Sequence, residues 1–350
     1  MTRIVSTASD ATVTLKHALR RIDFHLSVDV QIPASGITGL FGDSGSGKTS
    51  LLRCIAGLEA DLSHDTRPIH ERGVGYVFQE PQLFPHLDVR RNIEFGLRRS
   101  KAPKVDREQV IEMLGLGDLL ARMPDGLSGG EAQRAAIAAV LLRSPQLVLM
   151  DEPLASLDQR RKDELLPYLD RLHDDLSVPM IYVSHSIDEV SRLCDYLLLI
   201  DGGKIVASGE LHEMLSRLDL PMLSGSNAGS VIEAKPWRYD RDYDLTQFNF
   251  SGGELSVTGH YDTNASNVRL RIAAQDVSIC LSRPDDTTIL NVFAAEIDNV
   301  HTAGPSSVLV RLVAGTDYLL ALVTRRSVAR LDLKKGDQVF AQVKSVTVRQ

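Results

Sequence analysis

The sequence predicts an α/β domain followed by a small all-β barrel, and three observations carry that expectation. Up to about Leu220, short apolar strand-like runs alternate with helical patterns, the texture of a parallel sheet buried between helices. A glycine-rich loop joins one such run to a helix near the start of the chain. Beyond Val268 the pattern changes to short alternating runs separated by turn residues: Val268-Arg-Leu-Arg-Ile272, Ser307-Val-Leu-Val-Arg-Leu-Val313 and Val339-Phe-Ala-Gln-Val-Lys-Ser-Val-Thr-Val348. Between the two textures, Pro221-Met-Leu-Ser-Gly-Ser-Asn-Ala-Gly-Ser230 reads as a linker. The expected organisation is an α/β domain over 1–220, a linker with the first strands of an accessory β domain over 221–284, and a barrel over 285–350.

At 350 residues, with roughly 150 per domain, two or three domains and a sizeable core are expected. Hydrophobic residues at 43% and charged residues at 24% argue against disorder. The formal charge of −7 is unevenly spread: residues 231–350 hold fourteen basic and fourteen acidic side chains, so the whole excess lies before them. With no basic stripe and no helix-turn-helix pattern, nucleic acid is not an expected partner. Cys54, Cys194 and Cys280 have neither metal-ligand spacing nor a disulfide pattern, which fits a reducing compartment. No run approaches the roughly 18 apolar residues of a spanning helix, and the opening residues lack the apolar stretch of a signal peptide. Work at a membrane would need another subunit to do the crossing.

Gly42-Asp43-Ser44-Gly45-Ser46-Gly47-Lys48-Thr49 matches G-x-x-x-x-G-K-[ST] and lies between the apolar run Gly36-Ile-Thr-Gly-Leu-Phe41 and the helical pattern Ser50-Leu-Leu-Arg-Cys-Ile-Ala56. That is the strand–loop–helix setting the motif requires. Glycines let successive backbone N–H groups curl around phosphate oxygens, and the helix start adds the positive end of its dipole. Lys48 is expected to reach the β- and γ-phosphates, and the Thr49 hydroxyl to ligate Mg²⁺. By itself the motif indicates a nucleoside triphosphate. Further on, Leu147-Val-Leu-Met-Asp151-Glu152 is a buried-strand run ending in two carboxylates. A strand end beside a phosphate loop is where a Mg²⁺ shell needs a ligand. Asp151 is assigned to the metal side, and Glu152 to the attacking water as general base.

Between these sites, Leu127-Ser128-Gly129-Gly130-Glu131-Ala-Gln-Arg134 opens an Ala-rich helix. A serine and two glycines at a helix start make a second anion-binding nest, and one nucleotide does not obviously need two nests in one chain. On these residues the chain resembles the ATP-binding cassette (ABC) ATPases. Further matches follow in the family's order: Gln79 in Tyr76-Val-Phe-Gln79, Ser156-Leu-Asp158, and His185 in Tyr182-Val-Ser-His185. The resemblance implies a P-loop NTPase fold with a helical subdomain, ATP and Mg²⁺ as cofactors, and a head-to-tail homodimer. In that dimer each signature segment, Leu127 to Glu131, completes the other copy's phosphate site. It also implies that Gln79 is the Mg²⁺-contacting, transport-coupling glutamine, that Ser156 and Asp158 belong to a loop crossing the dimer interface, and that His185 is the switch histidine on the γ-phosphate. The chain departs from the family between Glu59 and Gly73, where the usual hairpin with its Asn-Gly turn is missing. Phe24 is the nearest candidate to stack on adenine, and a core phenylalanine is the other reading.

Family members dock on membrane subunits through the helical subdomain after the glutamine loop. Here Leu83, Phe84 and Leu87 are read either as a socket for a partner's helix or as subdomain core. Val268-Arg-Leu-Arg-Ile-Ala-Ala-Gln-Asp-Val-Ser-Ile279 resembles the start of the accessory barrel of importer ATPases. Thr287-Thr288-Ile-Leu-Asn291 and Val339-Phe-Ala-Gln-Val-Lys344-Ser345 resemble the two ends of a molybdate-binding-protein (MOP-like), OB-like barrel. Thr287, Thr288, Asn291, Lys344 and Ser345 offer the donors a tetrahedral oxyanion takes, although the family's Arg before the Asn is Leu290 here. A molybdate or tungstate site and a structural or dimerising barrel both stay open. The resemblance extends to the ATPase subunits of molybdate importers. It implies ATP hydrolysis energising molybdate uptake at the cytoplasmic face of the inner membrane, on two permease subunits supplied by an extracytoplasmic binding protein. The same motor carrying sulfate, ferric iron or a sugar, and a soluble oxyanion-sensing ATPase switch, are the alternatives.

Overall fold

The computed structural model describes residues 2–5, 12–22, 24–59, 68–97, 106–175, 178–223, 225–265 and 267–348. The missing hairpin expected between Glu59 and Gly73 falls largely on residues outside that set. The chain divides into two compact units, Met1–Gly209 and Glu210–Gln350.

The first unit opens with β1 (Thr2–Val5), β2 (Thr12–Arg20) and β3 (His25–Pro33), an antiparallel three-stranded sheet in that order. Its period-two pattern turns Val13, Leu15, Leu26, Val28 and Ile32 inward. There follow β4 (Ile37–Phe41), α1 (Lys48–Ala56), β5 (Val74–Val77), α2 (Val89–Leu97), α3 (Arg107–Met113) and α4 (Gly129–Leu141). The unit closes with β6 (Leu147–Asp151), α5 (Gln159–Asp175), β7 (Met180–Val183), α6 (Ile187–Leu193), β8 (Tyr196–Asp201) and β9 (Lys204–Glu210). Six strands form one sheet in the order β5-β6-β7-β4-β8-β9, with β5 through β8 paired in parallel. β4, β6 and β7 are buried at every position, as central parallel strands covered on both faces must be. The pairing register matters most for function. Leu40 and Asp151 both lie opposite Val183, and Val77 lies opposite Met150, so the C-terminal ends of β4, β7, β6 and β5 share one edge.

The second unit contains α7 (Leu211–Ser216), β10 (Gly229–Asp240), β11 (Leu245–Phe250), β12 (Gly253–Thr258), β13 (Val268–Ala273) and β14 (Val277–Cys280). It continues with β15 (Asn291–Thr302), β16 (Ser307–Ala314), β17 (Asp317–Thr324), α8 (Arg325–Leu331), β18 (Gln338–Val343) and β19 (Thr347–Val348). Two five-stranded sheets, β12-β11-β10-β13-β19 and β14-β18-β15-β16-β17, share a core that includes Phe248, Leu270, Ile297 and Val310, a barrel-like arrangement. Early and late segments interlock, since β13 pairs with β19 and β14 with β18. Among the described residues, no helix is long and apolar enough to cross a membrane.

Candidate active site

The shared edge of β4, β7, β6 and β5 is where an open α/β sheet binds ligands, and the loops leaving it carry the expected residues. The 42–49 loop turns from β4 into α1. Gly42 has no room for a Cβ, which would run into the carbonyl of Ile200, and Gly47 adopts φ 107 with Phe24 against it, 2.6 Å from where a Cβ would stand. Phe24 packs partly buried on the core of β2, β3 and α1, beside the phosphate loop. Lys48 is 7% exposed and its Nζ donates to the carbonyls of Gly42 (2.7 Å) and Asp43 (2.8 Å), so the ammonium lies folded against the loop. Burial lowers its pKa, against the opposing pull of the Glu152, Asp43 and Asp151 carboxylates. Ser46 Oγ is buried with no hydrogen-bond partner, which leaves a donor inside the loop for an oxygen-rich ligand. Asp43, Ser44 and Gly45 are exposed.

Asp151, 8% exposed at the end of β6, accepts from Thr49 Oγ1 at 3.1 Å and from the Tyr76 hydroxyl at 2.7 Å. Hard oxygens from a hydroxyl and a carboxylate suit Mg²⁺, which fills its remaining positions with water and phosphate oxygens. The loop fits a triphosphate for the reasons just given. Burial and then the bond to Asp151 push the Tyr76 phenol far above its ordinary pKa, so it remains a donor. The next residue, Glu152, takes φ 47, an uncommon backbone for a non-glycine that turns its carboxylate off the strand line. Its Oε2 stands 3.3 Å from His185 Nδ1, which follows β7 on the adjoining strand end. The structure thus brings Lys48, Thr49, Asp151, Glu152 and His185 to one place. Gln79 is exposed on the loop after β5 at the same sheet edge.

Two buried side chains that the sequence reading passed over hold these loops. Glu189, on α6, accepts from Ser184 Oγ (2.7 Å), the Tyr182 hydroxyl (3.0 Å) and Lys162 Nζ (2.8 Å), behind the turn that carries His185. Gln133, on α4, donates to the Phe78 carbonyl just before Gln79, at 3.2 Å. Glu189 gives no signal of such a pairing in the sequence, and Gln133 is visible there only as part of the Leu127–Arg134 segment.

The signature segment lies elsewhere on the first unit's surface. α4 begins at Gly129 because Ser128 caps it: Ser128 Oγ accepts from the Glu131 N–H, and the Glu131 carboxylate accepts from the Ser128 N–H at 2.7 Å. That backbone bond is the main cause that holds the Glu131 carboxyl below its usual range. Ser128 is exposed, Leu127 and Gly129 are half-buried, and Gly130 is buried. Ser156 and Asp158 are exposed, and Asp158 Oδ1 accepts from the Arg161 N–H at the start of α5. Beyond Gln79, a groove of about 260 Å³ is lined by Tyr76, Phe78, Phe84, Phe95 and Arg143, with the Phe84 and Phe95 rings 4.5 Å apart. Leu83 and Leu87 are half-buried and stand outside its lining. Asn92 pins this wall, accepting from the Phe84 N–H at 2.7 Å and donating to the carbonyls of Phe84, Leu87 and Asp88.

In the second unit, Asn291 lies opposite Val343, so Lys344 and Ser345 leave the sheet where residues 287–290 enter it. Thr287, Thr288, Lys344 and Ser345 are exposed there, as is Leu290 at 68%. Asn291 is different: it is 7% exposed, and its amide closes on the backbone of Ser256, accepting from the N–H (2.7 Å) and donating to the carbonyl (3.1 Å).

Comparison with known proteins agrees with both units. Residues 26–155 match the ABC transporter family and residues 287–350 match the TOBE domain. The molybdenum import ATP-binding protein ModC 1 of Azotobacter vinelandii is 48% identical, over 93% of this chain and 95% of that protein. ModC of Methylococcus capsulatus is 45% identical over 95% and 98%. The solved structure of cbiO1 from Clostridium perfringens, part of the ABC transporter complex cbiONQ, superposes with a TM-score of 0.52 at 25% identity, covering 61% of this chain and 94% of that one. The phosphate loop, the paired carboxylates and this full-length likeness have one reading: the chain belongs to the ABC transporter ATPase family, among the molybdenum import ATP-binding proteins.

Proposed function

We propose that this chain is the ATP-hydrolysing subunit of an importer that drives molybdate across the cytoplasmic membrane. The observation that carries the ATPase reading is the single sheet edge holding Lys48, Thr49, Asp151, Glu152 and His185. The cargo rests on the full-length likeness to molybdenum import proteins.

The triphosphate lies in the N–H groups of residues 42–49, and Lys48 exchanges its loop carbonyls for the β- and γ-phosphate oxygens. Thr49, Asp151 and Gln79 would hold Mg²⁺, which would neutralise charge on those oxygens. Glu152 accepts a proton from the water that attacks the γ-phosphorus as the bond to the β-phosphate oxygen breaks, giving ADP and phosphate. His185, in contact with Glu152, orients that carboxylate and meets the γ-phosphate. Gln79 reports occupancy of the site to the groove beside it. A second copy, packed head to tail, supplies Leu127 to Glu131 to the phosphates, with Ser156 and Asp158 crossing the interface. Each of two permease subunits seats a helix in the groove walled by Phe84 and Phe95, which places the chain on the cytoplasmic face of the inner membrane and leaves the extracytoplasmic binding protein an indirect partner. At the barrel, Thr287, Thr288, Lys344 and Ser345 are the oxyanion donors, with Asn291 as their scaffold.

The test is elemental analysis of a deletion strain grown at scarce molybdate, complemented with the wild-type chain or with Glu152→Gln. Loss of molybdenum alone, restored only by wild type, is the expected result. If molybdenum holds while sulfur or iron falls, the motor stands and its cargo is wrong.

A further inference from the structure

We infer that Tyr76 is a positioning residue for the metal side of the ATP site: its hydroxyl, by donating to Asp151 Oδ2, holds the carboxylate so that Oδ1 faces Thr49. The inference rests on the reading of Asp151 as the metal-side carboxylate. A carboxylate at a strand end turns easily about its last torsion, whose preferences are broad. Here two donors fix it from different elements. Thr49 reaches Oδ1 from α1 at 3.1 Å, and Tyr76 reaches Oδ2 from β5 at 2.7 Å.

The sheet explains why a tyrosine can do this. Tyr76 pairs with Leu149, so Asp151 is its diagonal neighbour two residues further along the adjacent strand. With strands about 4.8 Å apart and a rise of about 3.3 Å per residue, two residues so placed lie roughly 8 Å apart at the backbone, within reach of an aromatic side chain and beyond a serine or threonine. Tyr76 is half-buried and Asp151 buried, so the bond is sheltered from water. The two donors are also unequal. Thr49 is itself assigned to the metal, which leaves Tyr76 as the donor that keeps orienting Asp151 once the site is loaded. The Tyr76 ring meanwhile packs on Phe78, with centroids 4.4 Å apart, and lines the groove. Tyr76→Phe therefore removes the hydroxyl and keeps that wall.

Outer partners that orient metal ligands are worth about 10- to 100-fold in metal affinity, and one lost hydrogen bond sits at the lower end. The test titrates Mn²⁺ into the full chain with ADP present, following the EPR signal of free Mn²⁺, for wild type, Tyr76→Phe and Asp151→Asn. Tyr76→Phe is expected to bind Mn²⁺ roughly tenfold more weakly and to need roughly tenfold more Mg²⁺ for half-maximal ATPase, with kcat at saturating Mg²⁺ and metal-free ADP binding unchanged. Asp151→Asn is expected to lose more. Unchanged Mn²⁺ affinity in Tyr76→Phe beside a weakened Asp151→Asn overturns the inference alone. Unchanged affinity in both removes the metal reading of Asp151 and the inference with it. A fall in metal-free ADP binding matching the fall in Mn²⁺ binding marks general loss of structure and also counts against it.

Discussion

The 42–49 loop and the 127–131 segment are both serine- and glycine-rich helix starts in one unit, yet they are held in opposite ways. Around the first, contacts within the loop are joined to other elements: Lys48 folds onto the loop, Thr49 meets Asp151 from β6, and Asp151 meets Tyr76 from β5. Around the second, Ser128 and Glu131 satisfy each other within one turn of α4, and the serine stays exposed. A nest wired to a buried carboxylate is equipped for chemistry; a nest held within its own turn, with Arg122 3.6 Å from Glu131, has donors to offer. In a two-fold dimer any patch that meets a site on the partner also receives that patch in return. In the proposed head-to-tail dimer, the self-contained nest is the half of an ATP site that a second copy would bring.

The sharpest contrast comes from Glu152→Gln, which removes the proposed base and leaves the phosphate cradle intact. ATP binding should hold while turnover falls by about 10²–10⁴-fold, the usual worth of a positioned base. Single-turnover hydrolysis beside equilibrium ATP binding measures both, and full residual hydrolysis would end the assignment. Ser128→Arg puts a bulky cation into the exposed nest and should cost about 10²–10³-fold, as losing an oxyanion donor does. Mixing that chain with Lys48→Ala distinguishes the two nests. Random pairing makes half the dimers mixed, and each mixed dimer regains one of two sites, so activity should return to about a quarter of wild type. No recovery in the mixture would break the head-to-tail arrangement.

Much of this is legible in the sequence, because phosphate chemistry restricts residue types at strand ends. Glycine is required where Gly42 meets the Ile200 carbonyl and where Gly47 takes φ 107. Carboxylates at the end of an apolar run are equally hard to mistake. What stayed hidden depends on which strands are neighbours. Tyr76 reads as a strand aromatic until β5 is seen beside β6, and Glu189 as a surface helix residue until α6 is seen to bury it behind His185. Asn291 teaches the same lesson in the second unit. Its amide suits an oxyanion by composition, but Ser256, inside the edge strand β12 of the other sheet, claims both of its ends.

That places Asn291 on the stability side of a second comparison, between the buried and exposed members of the barrel's polar end. Asn291→Ala leaves the Ser256 N–H and carbonyl without their partner, a loss of about 1–3 kcal/mol for a buried hydrogen-bonded group. Denaturant unfolding should show it as a lower midpoint of the second unit's transition, with cassette ATPase activity unchanged. A silent Asn291→Ala would mean that water replaces the amide and that this end of the barrel is open.

Lys344 is the exposed counterpart and the smallest effect. It has solvent around it and no Arg at position 290 to share an anion, so its charge acts alone and screened. Exposed ion pairs contribute about 0.2–1 kcal/mol. Lys344→Ala should therefore weaken molybdate binding to the full chain by no more than about fivefold in calorimetry, and raising salt should erase the difference. Backbone and hydroxyl donors do not depend on ionic strength in this way, so the salt dependence separates the contribution of Lys344 from that of Thr287, Thr288 and Ser345. If the wild-type chain takes up no molybdate at any salt, the exposed polar end is a surface, and the two units differ in kind: one binds anions, and the other only folds beside it in sequence.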